Sequence, residues 1–299
     1  IITSDWSSDV CSSDLTPKMD MSDSKENNLL DRINYIITKY GEDNKGIAFA
    51  EKVLEELDIE TSINGEDNIP TDRPLVFASN HPLGALEALA IGKHLNRLFE
   101  GRIYFITNEI LTYIAPLRDI FIPVAVGAQT QERSKIEAVE RLFASDKHIV
   151  MFPSGSVSRR IDGKVQDLPW RKMFVTKARL HHRTIVPIYC SGQSSEFFLR
   201  FSNLRQRLGI KVNIELIFFP REMFKYKGKK IDITVGKPID SASLTSEKSD
   251  YRHAQDIRKK FTIWLDFISD IWDICPKNFV SLFAFFEAVA EKFTDKEIT

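Results

Sequence analysis

The sequence predicts an α/β fold: a mostly parallel central sheet flanked by helices, with helical extensions at both ends. Short apolar runs rich in β-branched residues recur through the middle of the chain, as strands buried on both faces do. Between them lie stretches with apolar residues at helical spacing. Strands and helices alternating in this order build a parallel sheet with helices on its faces.

Residues 1–20, IITSDWSSDVCSSDLTPKMD, are rich in Ser and Asp, and the piece SSDVCSSDL resembles translated adapter read-through. They are expected to be a disordered or artefactual tail. Residues 21–66 hold two amphipathic helices, at 26–40 and 46–58, and residues 61–73 read as a polar connector carrying Gly65 and Pro70. A core unit spans 67–240. Its strands are expected at 74–79, 103–107, 120–124, 148–152, 184–189, 212–219 and 231–235, and its helices at 85–98, 109–115, 131–145, 170–181 and 194–208. Residues 241–299 read as helical: 251–274 and 278–293 are rich in Phe, Ile and Trp and are separated at Pro276. Such aromatic helices suit either a membrane interface or packing on the core.

Composition narrows the function. The chain has 299 residues, 43% of them hydrophobic, with 21 Phe, so a large core is within reach. Lys+Arg number 41 against 42 Asp+Glu. That balance gives no support to nucleic-acid binding. The charge is unevenly distributed, however. Residues 1–70 carry 16 acidic and 6 basic side chains, residues 155–183 carry 2 and 8, and residues 200–237 carry 3 and 10. The basic half can face an anionic substrate or an anionic membrane, or form an ordinary solvated surface. Cys11, Cys190 and Cys275 are far apart and show neither metal spacing nor a disulfide framework, so no metal is expected and a reducing compartment is. No apolar run is long enough to span a bilayer, and no signal-peptide pattern is visible. A dinucleotide fingerprint, a phosphate-binding Gly-rich loop and a Gly-x-Ser-x-Gly elbow are all missing, which argues against nucleotide enzymes and hydrolases.

Four stretches carry chemistry. In the first, an apolar run from Pro74 to Ala78 enters a polar turn, Ser79 to Gly84, and an Ala/Leu-rich helix follows. Asn80 and His81 therefore sit where a strand hands over to a helix, the position at which α/β folds bind ligands. His81 with Glu87 behind it has the parts of a general base and its orienting acid, or of a capping residue. In the second, the buried strand 148–152 runs into Pro153-Ser154-Gly155-Ser156-Val157-Ser158-Arg159-Arg160. Backbone N–H groups, hydroxyls and guanidinium groups at a strand end suit an anion. In the third, Arg118 precedes a strand and can reach an acidic group or pair with Asp119. In the fourth, Pro187 interrupts a strand and belongs at an edge, a bulge or a cavity wall.

In this order and spacing the motifs resemble the glycerolipid acyltransferase family, over about residues 70–240. The nearest variant is the hemolysin-like or "glycerol acyltransferase" branch, which is related to amino-acid-lipid acyltransferases. Asn80-His81-Pro82-Leu83-Gly84 and Phe152-Pro153-Ser154-Gly155-Ser156-Val157-Ser158-Arg159 carry the resemblance. Trp170-Arg171-Lys172, the 196–210 segment and Gly236-Lys237-Pro238-Ile239 also fit it. Two departures are visible. The family's His-x4-Asp reads here as His81-x5-Glu87, and its Phe-Pro-Glu-Gly-Thr block reads Phe-Pro-Ser-Gly-Ser, which weakens the case for glycerol 3-phosphate as acceptor.

The resemblance implies acyl transfer from a thioester of acyl carrier protein or coenzyme A to a lysolipid or glycerol-phosphate-type acceptor in membrane lipid synthesis, without a further cofactor. His81 would take the acceptor's proton and Glu87 would hold the imidazole. Asn80, Gly84, Arg118, Pro153, Gly155, Ser156, Ser158, Arg159 and Arg160 would bind substrate, with Arg118, Ser156, Arg159 and Arg160 on the anionic head. Backbone N–H groups near Gly84 or Gly155 are candidates for the oxyanion hole. The 67–240 unit would then be the acyltransferase domain, acting in the cytoplasm at the inner face of the cell membrane. Two alternatives stand beside it: O- or N-acylation of an amino-acid-derived lipid, and a non-enzymatic lipid-surface protein of the same fold.

Overall fold

A strand buried along its whole length can only be central, and Leu75–Ser79 is such a strand. In the computed structural model, which describes residues 29–124, 132–208 and 218–259, it lies in the middle of a seven-stranded sheet. The elements follow one another as α1 (Leu29–Tyr40), α2 (Ile47–Glu56), β1 (Glu60–Asn64), β2 (Leu75–Ser79), α3 (Leu86–Phe99), β3 (Ile103–Asn108), β4 (Phe121–Val124), α4 (Arg133–Phe143), β5 (His148–Met151), β6 (Arg159–Ile161), β7 (Lys164–Gln166), α5 (Met173–Leu180), β8 (Thr184–Cys190), α6 (Glu196–Arg207), α7 (Phe219–Lys225) and β9 (Lys230–Val235). The sheet order is β1-β9-β8-β2-β5-β3-β4, and β6-β7 is a separate hairpin. All neighbours in the large sheet are parallel except β8 and β9. The mostly parallel sheet with flanking helices is the fold that the alternating pattern predicts.

The pleat divides the core in two. Leu75 and Phe77 of β2 face the cluster built with α1, α2 and α3, whereas Val76 and Ala78 face the one built with α4 and α5. Val150 of β5 takes the first side and Ile149 and Met151 the second. Both faces are apolar, so these strands read as continuous hydrophobic runs rather than as alternating ones. Gly92 of α3 lets that helix approach the sheet: a Cβ there would lie 2.7 Å from Ile47 Cδ1 and 3.2 Å from Phe105 Cζ.

The differences from the sequence expectations have physical reasons. The polar stretch taken for a connector contains β1, an edge strand whose pairing to β9 is made by backbone groups that carry no hydropathy signal. Asp162 (φ 51°) and Gly163 (φ 81°) turn the β6–β7 hairpin, an Asp-Gly signal in the sequence. In place of a helix at 109–115, two short 3-10 helices run from Glu109 to Tyr113 and from Ala115 to Ile120, with Pro116 in the first turn of the second. Pro187 lies in a central strand, not at an edge. Its missing N–H faces a gap in the β8–β9 ladder, between the Ile185–Ile239 bridge and the Ile188–Val235 pair. Phe218 and Phe219, expected to end a strand, enter α7. The rest of that strand, the tail at 1–20 and the helices beyond residue 259 lie outside the described residues. Residues 250–259 are helical. No helix among the described residues is long and apolar enough to cross a membrane.

At the end of the sheet away from the β2–α3 turn, the fully buried Arg183 collects carbonyl oxygens. It donates to Phe143 O (2.8 Å), Leu142 O (3.1 Å), Lys147 O (2.6 Å), Leu75 O (3.4 Å) and Ser145 O. It thereby satisfies the last carbonyls of α4 and ties them to the start of β2. Burial pushes this guanidinium down to about 10. Beside it, His148 stacks on Phe99 with ring centroids 3.7 Å apart. Desolvation first, then the charges of Arg102 and Arg183, pull its imidazole down to about 4. The unfolded chain therefore takes up a proton at His148 that the native chain refuses, between the ordinary value near 6.5 and about 4. Stability is expected to fall as pH drops through that window, and His148→Phe to flatten the fall when urea midpoints are compared at pH 7 and pH 4.5.

Candidate active site

The turn between β2 and α3 is held from every side. The Asn80 side chain bridges to β8 twice: Nδ2 donates to Cys190 O (2.9 Å) and Oδ1 accepts from Cys190 N (2.7 Å). His81 N donates to Asp167 Oδ1 (3.1 Å), and His81 O accepts from Ser158 N (2.7 Å). Pro82 O accepts from the Ser194 hydroxyl at 3.0 Å. Gly84 adopts φ +90°, and a Cβ there would lie 2.9 Å from the Phe219 ring and 3.2 Å from Val157. Only glycine can turn the chain that tightly under that ring.

This frame positions one carboxylate. Glu87, in the first turn of α3 and fully buried, accepts three N–H groups on Oε1: His81 Nδ1 at 2.8 Å, Leu83 N at 3.1 Å and Gly84 N at 3.0 Å. The extra methylene of Glu relative to Asp is taken up by the five-residue spacing and the glycine turn. A carboxylate can only accept, so the neutral imidazole of His81 carries its proton on Nδ1 and leaves the lone pair of Nε2 free. The ring stacks on Phe152, with centroids 4.3 Å apart. His81 lines a cavity of about 360 Å³. Most of its wall is apolar: Ala88 and Leu89 of α3, Phe105 and Ile106 of β3, Leu111, Ile114, Leu117 and Phe121 beyond it, and Val139, Met151 and Phe152.

The other sequence candidates divide. Gly84, Pro153, Gly155, Ser156 and Arg159 line the same cavity as His81. Asn80 and Ser158 act on the frame: Ser158 is buried and its hydroxyl donates to Asp167 Oδ1 at 2.5 Å. Arg118 and Arg160 do not line the cavity. Arg118 is exposed and donates to Thr112 O (3.3 Å), and Arg160 pairs with Glu196 and donates to Gly163 O. Arg159 is only 2% exposed; it donates to Val157 O at 2.5 Å and lies over the Phe198 ring. The N–H groups of Gly84 and Gly155 are both engaged, the latter on Phe152 O at 3.0 Å. Ser156 and Val157, next in the turn, give theirs to no acceptor among the described residues. Among the described residues no cluster of His, Cys, Asp and Glu could hold a metal ion.

With the geometry in view, residues 24–273 match the family described as "Acyltransferase". The chain belongs to this family. The acyltransferase is 36% identical over 229 residues to a protein named lyso-glycine lipid O-acyltransferase from Phocaeicola vulgatus, covering 76% of this chain and 81% of that one. A protein of the same name from Bacteroides thetaiotaomicron is 34% identical over 229 residues, covering 76% and 83%. Among solved structures, the 1-acyl-sn-glycerophosphate acyltransferase PlsC of Thermotoga maritima aligns over 80% of this acyltransferase and 90% of its own chain, at 18% identity and a TM-score of 0.44.

Asp167 is the residue that sequence reasoning missed. It sits after the β6–β7 hairpin and holds the acyltransferase's two turns together, accepting from His81 N, from the Ser158 hydroxyl and from Trp170 Nε1 at 2.8 Å. Burial raises its carboxyl above the ordinary range, opposed by these donors. A lone Asp far along the chain from the His carries no spacing signal, and only the fold brings the two together. Removing it strands three buried donors at about 1–3 kcal/mol each, not strictly additive. Asp167→Ala is therefore expected to lower the urea unfolding midpoint strongly; a midpoint within error of the unmutated protein would contradict the clamp.

Proposed function

We propose that this acyltransferase moves an acyl chain from an acyl thioester, carried by acyl carrier protein or coenzyme A, to the hydroxyl of an amino-acid lyso-lipid. The observation that carries the reading is the 2.8 Å contact between His81 Nδ1 and Glu87 at the wall of an apolar cavity. His81 Nε2 takes the acceptor's hydroxyl proton as its oxygen attacks the thioester carbonyl. The proton then passes to the departing thiolate, and Glu87 steadies the imidazolium in between. No protein nucleophile is required, because the acceptor's oxygen attacks directly. The N–H groups of Ser156 and Val157 are the donors best placed to meet the developing oxyanion.

The apolar wall suits an acyl chain, which gains about 0.8 kcal/mol per buried CH₂. Two named relatives support an amino-acid acceptor and an oxygen nucleophile. Glycine has no hydroxyl of its own, so the accepting oxygen would sit on the acyl chain already attached to it.

A membrane surface is the expected source of the lyso-lipid acceptor. Helix α6 supports this: Phe197, Leu204 and Leu208, on and just beyond it, are 41%, 54% and 66% exposed and share one face, with Arg200 and Arg207 beside them. That is the make-up of a helix lying in an anionic interface.

The test is a purified reaction of acyl thioester with a lyso-glycine lipid, read by mass spectrometry for the O-acylated product. His81→Ala is expected to slow turnover by at least about 10²–10⁴-fold with an unchanged circular dichroism spectrum. Glu87→Gln, which replaces an acceptor with an amide, is expected to lose about 10²-fold or more through a mis-set imidazole. Activity near that of the unmutated enzyme in His81→Ala would overturn the mechanism, and exclusive N-acylation would overturn the choice of nucleophile.

A further inference from the structure

Four cationic side chains line the cavity: Lys135, Arg159, Arg171 and Lys177. Three have other work. Lys135 pairs with Glu109 (2.7 Å) and Glu132 (3.4 Å), and Lys177 pairs with Glu140. Arg159 is turned into the protein, on the carbonyls of Val157 and Ser158 and the face of Phe198. Arg171 differs. Its side chain is exposed, and its guanidinium makes neither a hydrogen bond nor an ion pair with any described residue.

Its position is nevertheless fixed. Arg171 N donates to Pro153 O (2.9 Å), which ties it to the Pro153–Ser158 turn. The preceding Trp170 is 2% exposed and triply fastened: Nε1 to Asp167, N to Gln255 Oε1 (3.3 Å), and O from Gln255 Nε2 (2.6 Å). The guanidinium lies flat against Gly155. A Cβ on Gly155 would fall 3.0 Å from Arg171 Cζ and 3.3 Å from both Nε and Nη2. Glycine at φ +65° thus makes the bed in which this side chain rests. Ser156 and His81 line the same cavity.

We propose that Arg171 is the residue that recognises the acceptor's head group, and that the group it recognises is a carboxylate. A guanidinium presents a planar fork that a carboxylate matches with two parallel hydrogen bonds. The charge count points the same way. With both lysines neutralised by carboxylates and Arg159 buried, Arg171 is the one uncompensated, solvent-facing cation that the described residues place in the cavity, which suits a singly charged carboxylate. A phosphate monoester, at about −1.5 to −2, would leave charge unmatched. This inference rests on the acceptor class proposed above. A glycine joined to a chain through its nitrogen shows its carboxylate at the end away from the chain, so the hydroxyl can reach His81 while the head stays at Arg171.

The probes are a hydroxylated N-acyl-glycine, its methyl ester, and a lysophosphatidate of equal chain length. The unmutated enzyme is expected to show a KM for the acid at least about tenfold below that for the ester, the scale of one charge-assisted contact. Arg171→Ala is expected to raise the KM for the acid about 10–100-fold and to erase its advantage over the ester, leaving the KM for the thioester donor unchanged. Arg171→Lys, which keeps the charge and loses the fork, should fall between. An equal effect on acid and ester would overturn the proposal. So would a rise confined to the donor's KM, which would assign the guanidinium to the donor's phosphates, and so would a lysophosphatidate KM below that of the acid in the unmutated enzyme. If the unmutated enzyme turned over neither glycine lipid, the acceptor class itself would fall. Equilibrium dialysis of acid and ester against the unmutated protein and Arg171→Ala would still decide the residue's role: equal dissociation constants for acid and ester in the unmutated protein overturn it, and a preference for the acid lost in Arg171→Ala supports it.

Discussion

One carboxylate oxygen organises this site. Glu87 Oε1 receives the ring of His81 and two consecutive backbone N–H groups of the turn that carries it. The carboxylate therefore shapes the loop and orients the imidazole at the same time. Its own position comes from α3, a 14-residue helix whose buried face is pinned to the sheet through Leu86, Ala90, Ile91 and Leu95. The geometry of the imidazole is thus set by core packing rather than by the loop's own preferences. A site held within a fraction of an ångström needs such backing from regular structure.

The cavity combines two materials. The walls on α3, β3 and the 3-10 helices that follow are mostly hydrocarbon, with Thr107 and Asn108 at the end of β3, and the wall made by the turn after β5 and the segment before α5 is polar, with Ser156, Arg159 and Arg171. His81 stands where they meet, backed by Phe152. On the proposed reading, acyl chains against the hydrocarbon and a head group at the polar wall would bring the acceptor's hydroxyl and the thioester carbonyl together near the imidazole. Orientation of this kind can account for much of a two-substrate rate enhancement.

The fold was legible because its strands are short apolar runs that nothing but a buried parallel sheet could accommodate. Leu75–Ser79 and His148–Met151 were visible on that ground. The edge strand Glu60–Asn64 was not, since its ladder to β9 is made by backbone groups and its side-chain link, from the Ser62 hydroxyl to Asp232, joins residues far apart in sequence. His81 and Glu87 were legible as a pair through the resemblance to the acyltransferase family, since a His in a turn with a Glu six residues on is by itself a weak signal. Arg118 lies in the second 3-10 helix and Arg160 in β6, held by Thr112 O and by Glu196, partners that no local pattern encodes, and the structure puts them outside the cavity. Asp167 was illegible for a related reason, because it meets His81 N and the Ser158 hydroxyl only in the folded chain; Arg171 was visible within Trp170-Arg171-Lys172, but nothing local gave it a role.

The ring of Phe219 lying over Gly84 has a consequence for how the protein reaches its active form. That ring belongs to α7 and stacks in turn on Phe198 of α6, both made long after the His81 turn has left the ribosome. β1 likewise waits for β9, its partner from the far end of the domain. Contacts so distant in sequence close late, because the entropy of the intervening loops must be overcome first. A partly synthesised or partly folded chain would already carry His81 and Glu87, yet lack the Phe219 ring that closes over their turn. Activity would then arrive with the last elements to dock, and the nascent chain would be chemically silent until that moment.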